Sequence, residues 1–245
     1  MIESLINFFE ACGVNRAAQQ VEFLLTPQTL PFALWETLYV TVLGTLLAYV
    51  IGLPLGVILV IGDENGISPL PKSLMKFLNI AVNLLRSVPF LILMVVCFPL
   101  SRLIIGTSVG TVASIVPLTL AAAPFVARIV ENSLRETDRG IIEAAQAMGC
   151  PVWQIVTKVM LPECCPSLIT GLTTATITIL SYGAMAGAIG GGGLGAMALL
   201  RGHGRQERIT LYVSVLLLVI LVQVIQSLGT KLAVKIDRRI QNTQK

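Results

Sequence analysis

Charge is scarce in this chain: 12% of its 245 residues are Asp, Glu, Lys or Arg against 55% hydrophobic, and the mean hydropathy is +0.84. That composition excludes an ordinary water-soluble domain and predicts a chain that lives in a bilayer. The net charge is only +4, and no stretch alternates basic residues with aromatics, so no nucleic-acid role is expected. Histidine is reduced to His203, and the five cysteines (Cys12, Cys97, Cys150, Cys164, Cys165) form no C-x-x-C pair, which leaves no zinc or redox spacing. Cys97 lies in an apolar run and reads as a small hydrophobe, and neighbours such as Cys164 and Cys165 rarely pair with each other. No G-x-x-x-x-G-K-[ST] occurs, and the glycine run at 190 to 195 is followed by Ala196 and Met197, so a phosphate cradle of that kind is excluded. There is no H-E-x-x-H and no pair of aspartates in any apolar stretch, which leaves catalysis within the membrane without an acid or base. No cofactor or metal is implied. The N-terminus has no basic start and no small-residue cleavage site, so it is expected to stay on the protein, with Ile2, Leu5, Ile6 and Phe9 at helical spacing as a short interfacial helix.

What is present is a series of long apolar runs. The 26 residues from Thr37 to Gly62 carry no charge and exceed the roughly 20 that a spanning helix needs. Further runs at about 77–100, 103–127, 167–189 and 209–228 predict an all-α membrane protein of five transmembrane helices in a domain at 35–230. Residues 1–34 are expected to be an interfacial or extracytoplasmic extension, and 231–245 a basic tail. Five spans place the termini on opposite sides. With the tail inside, inner segments hold 11 Lys and Arg and outer segments 5, which favours the N-terminus out and the C-terminus cytoplasmic. Arg201, Arg205 and Arg208 then fall in one outer loop, either solvated or facing an acidic partner or lipid head groups. Gly52 and Gly56, and Gly183, Gly187 and Gly191, follow the small-xxx-small pattern of close helix packing. Pro54, Pro89, Pro117 and Pro124 lie inside the runs, where proline kinks a helix.

The 39 residues from Arg128 to Pro166 carry four basic and five acidic side chains and must leave the hydrocarbon. Ile141, Ile142, Ala145 and Met148 mark one amphipathic helix, and Val152, Ile155, Val156 and Val159 a second, joined at Gly149, Cys150 and Pro151. Within them stand Glu143-Ala144-Ala145, three residues, Gly149, nine residues, then Val159-Met160-Leu161-Pro162. That spacing resembles the E-A-A signature of bacterial ABC importer permeases, with Val159 where isoleucine is usual.

The resemblance implies the type I importer permease fold. It implies a coupling helix that docks on a separate ATPase, with Glu143 anchoring the loop, Ala144 and Ala145 allowing close packing, Gly149 turning the chain, and Val159, Leu161 and Pro162 closing the motif. From Trp35 to Asp237 the chain is similar to the permeases of methionine importers, through Leu85-Arg86-Ser87-Val88-Pro89-Phe90, Ile115-Val116-Pro117-Leu118-Thr119 and Ala123-Pro124-Phe125-Val126-Ala127-Arg128. This implies a homodimer in membrane lipid, two ATP-binding cassette ATPase subunits, a substrate-binding lipoprotein outside, and D- or L-methionine as cargo. ATP hydrolysis then belongs to a partner and not to this chain.

For the translocation path the candidates are Arg86, Ser87, Pro89, Tyr182 and Met185. Arg86 either faces the pathway or sits at the cytoplasmic end of its span and snorkels. Tyr182 and Met185 either line an apolar pocket or pack between helices. The rival classes are a permease for another small solute and an ion-coupled carrier. The latter usually needs intramembrane carboxylates or paired repeats, and the apolar runs offer no acid well inside.

Overall fold

The computed structural model describes residues 17–237, so Ile2, Leu5, Ile6 and Phe9 lie outside the described residues. The described chain is helical: α1 (Ala17–Leu25), α2 (Leu30–Ile61), α3 (Lys72–Ser87), α4 (Phe90–Val96), α5 (Phe98–Ile105) and α6 (Thr111–Arg135) come first. An elbow follows, made of α7 (Arg139–Ala147), α8 (Val152–Gln154), the π-helical π1 (Ile155–Met160) and α9 (Leu161–Glu163). The chain ends with α10 (Cys165–Ala186), a 3-10 turn (Gly187–Ile189), α11 (Gly193–Ala196), π2 (Met197–His203) and α12 (Arg208–Ile236).

Four helices, α2, α6, α10 and α12, are long and apolar enough to cross a membrane, and α3 with α4 makes a fifth, broken span bent by 105°. At 32 residues α2 is about 48 Å long, more than the roughly 30 Å of hydrocarbon it must cross. Its outer face leaves Val42, Leu46 and Val50 more than half exposed, as does Leu216 on α12. Lipid tolerates such faces where water would not.

The break in the second span has a local cause. Pro89 has no N–H to donate and its ring disfavours a helical residue before it, and Val88 is accordingly extended at φ −79°, ψ 126°. Arg86 therefore sits in the last turn of α3 and not mid-span, at the end where the helix dipole favours a cation. Pro54, Pro117 and Pro124, by contrast, lie within unbroken α2 and α6.

Other boundaries move as well. The third span begins at Thr111, because Gly106 caps α5 in the left-handed region at φ +88°, and it runs on to Arg135 through residues assigned from sequence to the loop. The charged side chains there are satisfied by one another and by Asn79, Asn83 and Asp63 from neighbouring segments, so charge did not end it. α2 begins at Leu30, with Pro31 in its first turn where the missing N–H costs nothing, so Leu30–Leu34 belong to the bundle and not to an extension. Likewise Lys231 and Lys235 continue α12 as far as Ile236.

The chain forms two compact units. The first takes its described residues from 17–44, 90–118 and 178–224, and its core gathers Ala17, Leu24, Ala33, Leu194, Met197 and Ile209. α1 is thus part of that core, and Gln20 on it accepts a hydrogen bond from the Ile209 N–H at 3.0 Å. The second takes 45–89, 119–177 and 225–237, with Leu59, Met75, Val82 and Ala127 as a core cluster. Gly52 and Gly56 let α2 lie directly on α6 here. A Cβ at Gly56 would stand 2.6 Å from the Ala127 carbonyl oxygen, and one at Gly52 2.7 Å from Val126. Gly183 behaves differently, since nothing lies within 4 Å of a Cβ built there.

Candidate functional site

The elbow is built within the second unit. Asp138 accepts from the Gly140 N–H at 2.6 Å and so caps α7, supplying a partner for one of the free N–H groups of its first turn. α7 ends in a Schellman motif: the Cys150 N–H reaches the Ala145 carbonyl at 3.1 Å and the Gly149 N–H reaches that of Gln146 at 2.9 Å. The motif needs a left-handed residue, and Gly149 supplies φ +76°. Pro151 then stands at the N-cap of α8.

The second arm is not a plain α-helix, which sequence reasoning missed. Ile155–Met160 is π-helical, and the chain returns to α at Leu161 with Pro162 in the first turn. Pro162 cannot donate the bond that an α-helix would direct to the Lys158 carbonyl, and the wider π turn accommodates that loss. The sequence signal was the Leu161-Pro162 pair itself.

Each motif residue has a place. Ala145 is buried on α7, which packs against π1, while Glu143, Ala144 and Gly149 are exposed. Val159 and Leu161 are half-buried and Pro162 is exposed. Ile155, Val156 and Met160 are the buried side chains of the second arm. Ile141, expected on the inward face of α7, is exposed, and Met148 and Trp153 stand 75% and 60% exposed on either side of the Gly149 turn. The Lys158 ammonium lies 5.9 Å from the Trp153 ring centroid. Val159 and Pro162 also border a groove of about 910 Å³ shared with Ser167, Thr173, Gln226 and Asp237. Burial pushes the Cys164 thiol on its wall up to about 11, which keeps it an unreactive hydrophobe.

The elbow is tied at its root. Ser167 at the start of α10 donates to Glu136 at 3.1 Å and shares a hydrogen bond with Ser133 at 3.0 Å, so the segments entering and leaving the elbow are joined. Beside it runs a polar network. Arg128 donates to Asn79 (2.8 Å) and Asn83 (3.0 Å) on α3 and pairs with Glu131, which Arg135 also holds. Arg135 bonds Asp63 after α2 at 2.9 Å, and that guanidinium holds the Asp63 carboxyl below its usual value of 3.8. The ends of α2, α3 and α6 are thereby cross-linked next to the elbow's root.

The path candidates divide between the units. Arg86, Ser87 and Pro89 fall in the second and are exposed, with the Ser87 hydroxyl bonded to the Asn83 carbonyl at 2.8 Å. Tyr182 and Met185 fall in the first; Tyr182 stacks on Phe90 with ring centroids 4.5 Å apart and planes 4° from parallel, and Met185 is 47% exposed.

A bundle of five apolar spans carrying an exposed, glycine-turned elbow with the E-A-A spacing defines a transport permease of the ABC importer class. The comparisons with known proteins agree. The model of the "Binding-protein-dependent transport system inner membrane component" family matches residues 52–242. The chain belongs to that family, and is a multi-pass inner-membrane protein. It is 45% identical over 218 residues to the probable D-methionine transport system permease protein MetI of Vibrio cholerae, covering 89% of this chain and 96% of that relative. With the D-methionine permease MetI of Escherichia coli it shares 48% identity over 153 residues, covering 62% of this chain and 70% of that one. Among solved structures, an inward-facing form of the MetNI methionine ABC transporter superposes with a TM-score of 0.81 at 44% identity, covering 83% of this chain and 94% of that one. An amino acid ABC transporter with histidines shares the fold at a TM-score of 0.68 and 16% identity.

Proposed function

We propose that this chain is the permease of an ATP-driven importer of D- and L-methionine. It works as a homodimer with two ABC ATPase subunits on its cytoplasmic face and a substrate-binding lipoprotein outside. The single observation that carries the reading is the exposed turn from Glu143 to Gly149, held by its cap and its Schellman bonds yet leaving Met148 and Trp153 unpacked. A surface so well fixed and so apolar suits a groove on a partner protein. The relatives' names support methionine as cargo, and the 11 to 5 distribution of Lys and Arg supports a cytoplasmic elbow.

On this reading ATP binding draws two ATPases together and carries both elbows with them. The rooted elbow passes the motion to α6 and α10, and access alternates between the two sides. Tyr182 and Met185 on α10 are the path residues in the first unit, offering an aromatic face and a soft apolar contact to a thioether, and Arg86, Ser87 and Pro89 at the broken span are those of the second.

The test is uptake by proteoliposomes holding the permease with its ATPase and lipoprotein. D- and L-methionine should accumulate only with ATP inside the compartment that contains the ATPase. Accumulation that follows an imposed proton or sodium gradient without ATP would sink the proposal, as would labelling of residues 140–162 from outside intact cells.

A further inference from the structure

Glu36 directly precedes the charge-free run from Thr37 to Gly62, yet it lies in the second turn of α2 with its carboxylate half-buried. Among the described residues no Lys or Arg forms an ion pair with it. Instead Oε2 accepts from the Gly193 N–H at 2.9 Å and Oε1 from the Thr111 hydroxyl at 3.3 Å. The next residue, Thr37, accepts from the Leu194 N–H at 2.9 Å while donating to the Ala33 carbonyl at 2.9 Å. Two neighbouring side chains of α2 thus receive the first two N–H groups of the helical stretch from Gly193 to His203. One of them also holds the first residue of α6.

The segment held in this way is a hairpin turned by glycines. Gly190, Gly192 and Gly193 all have positive φ (+92°, +72° and +70°). Its other backbone ties are few, among them the Gly110 N–H to the Gly190 carbonyl at 3.0 Å and the Gly191 N–H to that of Ala186 at 2.8 Å. Beyond the turn the chain packs backbone to backbone on the end of α10. A Cβ at Gly187 would stand 2.2 Å from the Ala196 nitrogen, and one at Gly195 2.3 Å from the Ala184 oxygen. Those contacts bracket Met185 and lie about a turn from Tyr182.

We infer that Glu36 is a positioning residue for transport: by fixing Gly193 against α2 and α6, it sets where the hairpin presses on residues 184–187 and so where Met185 closes the path. A charged acceptor on a backbone N–H is among the stronger hydrogen bonds, and its removal from a half-buried site leaves that donor unpaired. The hairpin then shifts and the path leaks while the elbow, in the other unit, still drives the ATPase. The inference rests on the permease reading above.

The experiment measures ATP hydrolysed per methionine taken up in proteoliposomes carrying the full transporter, beside the yield and melting temperature of the complex. Glu36→Ala is expected to raise the ratio about tenfold. Glu36→Gln keeps an oxygen for the Gly193 N–H and should stay within about twofold of wild type. Thr111→Val, which removes only the weaker contact and keeps the shape of the side chain, should raise the ratio about twofold to threefold. A wild-type ratio in Glu36→Ala, with or without a lower yield, overturns the inference, as does a Gln variant that behaves like Ala. If Glu36→Ala does not assemble, a wild-type ratio in Thr111→Val overturns it. Failure of the wild-type chain to import with ATP would instead remove the permease reading itself.

Discussion

Replacing Gly149 isolates backbone conformation from packing. Its φ of +76° is the left-handed geometry that the Schellman motif requires, and nothing lies within 4 Å of a Cβ built there. Substitution therefore meets no clash within this chain, and the cost is backbone strain of about 1–2 kcal/mol for an ordinary L-residue. It is smaller for Asn and larger for a β-branched side chain. If the ATPase accepts the elbow only with this turn in place, the strain appears in the docking equilibrium as a loss of about 5-fold to 30-fold. The expected order is Gly149→Asn mildest, Gly149→Ala intermediate and Gly149→Val worst. The assay is the affinity of the ATPase for the permease in nanodiscs, with ATP-driven uptake alongside. Wild-type affinity in the Ala and Val variants would refute the reasoning. Equal losses in Asn and Val would show that side-chain bulk against the partner decides the outcome and not the turn.

Four further outcomes follow from contacts in the second unit and from α10. Gly56→Ala should lower the stability of the solubilised permease by about 1–3 kcal/mol, since its Cβ meets a backbone oxygen at 2.6 Å. Gly183→Ala, in open space within a helix, should raise it by about 0.5–1 kcal/mol, and thermal melting of the two variants checks the opposite signs. Arg128→Ala should cost about 1.5–3 kcal/mol and not the 3–5 of a buried ion left alone, because Arg135 still bonds Glu131. Denaturation of Arg128→Ala, Asn79→Ala and the double variant measures the coupling. The Asp63–Arg135 tie lowers the folded carboxyl below 3.8, so its contribution is present above that value and is lost as pH falls through the lower folded value. The melting-temperature gap between wild type and Asp63→Asn should hold steady from pH 7 to 5 and close only below pH 3.8; a gap that closes near neutrality contradicts the assignment.

Local chemistry was legible in the sequence, and long-range satisfaction of polar groups was not. The E-A-A spacing, the glycine turn and the proline start of the second arm are consecutive along the chain, and the structure shows the Gly149 turn and the Pro151 start formed. Span boundaries went astray wherever a charge was taken as the end of an apolar run. Arg128, Glu131 and Arg135 remain helical because they pair among themselves and with Asn79, Asn83 and Asp63, up to 72 residues away. Glu36 remains helical because its partner lies 157 residues further on. A kink at Pro89 is legible in the sequence, but its size, a bend of 105° between two separate helices, is not.

The same contrast bears on how the permease works. A docking surface must be recognised by another protein, so its residues are clustered on one short exposed turn and leave a compact trace in the sequence. The parts that must move together have no such need. Their ties join α2 to α6 and to the glycine hairpin in one unit, and α2, α3 and α6 in the other, by single polar side chains. Where such a tie lies within the hydrocarbon it replaces a solvation that lipid cannot provide, so a rearrangement that breaks it must make another. A helix such as α2, which carries Glu36 near one end and runs up to Asp63 at the other, is therefore anchored near both ends by polar bonds, and a movement of the helix as a rod must break or exchange them.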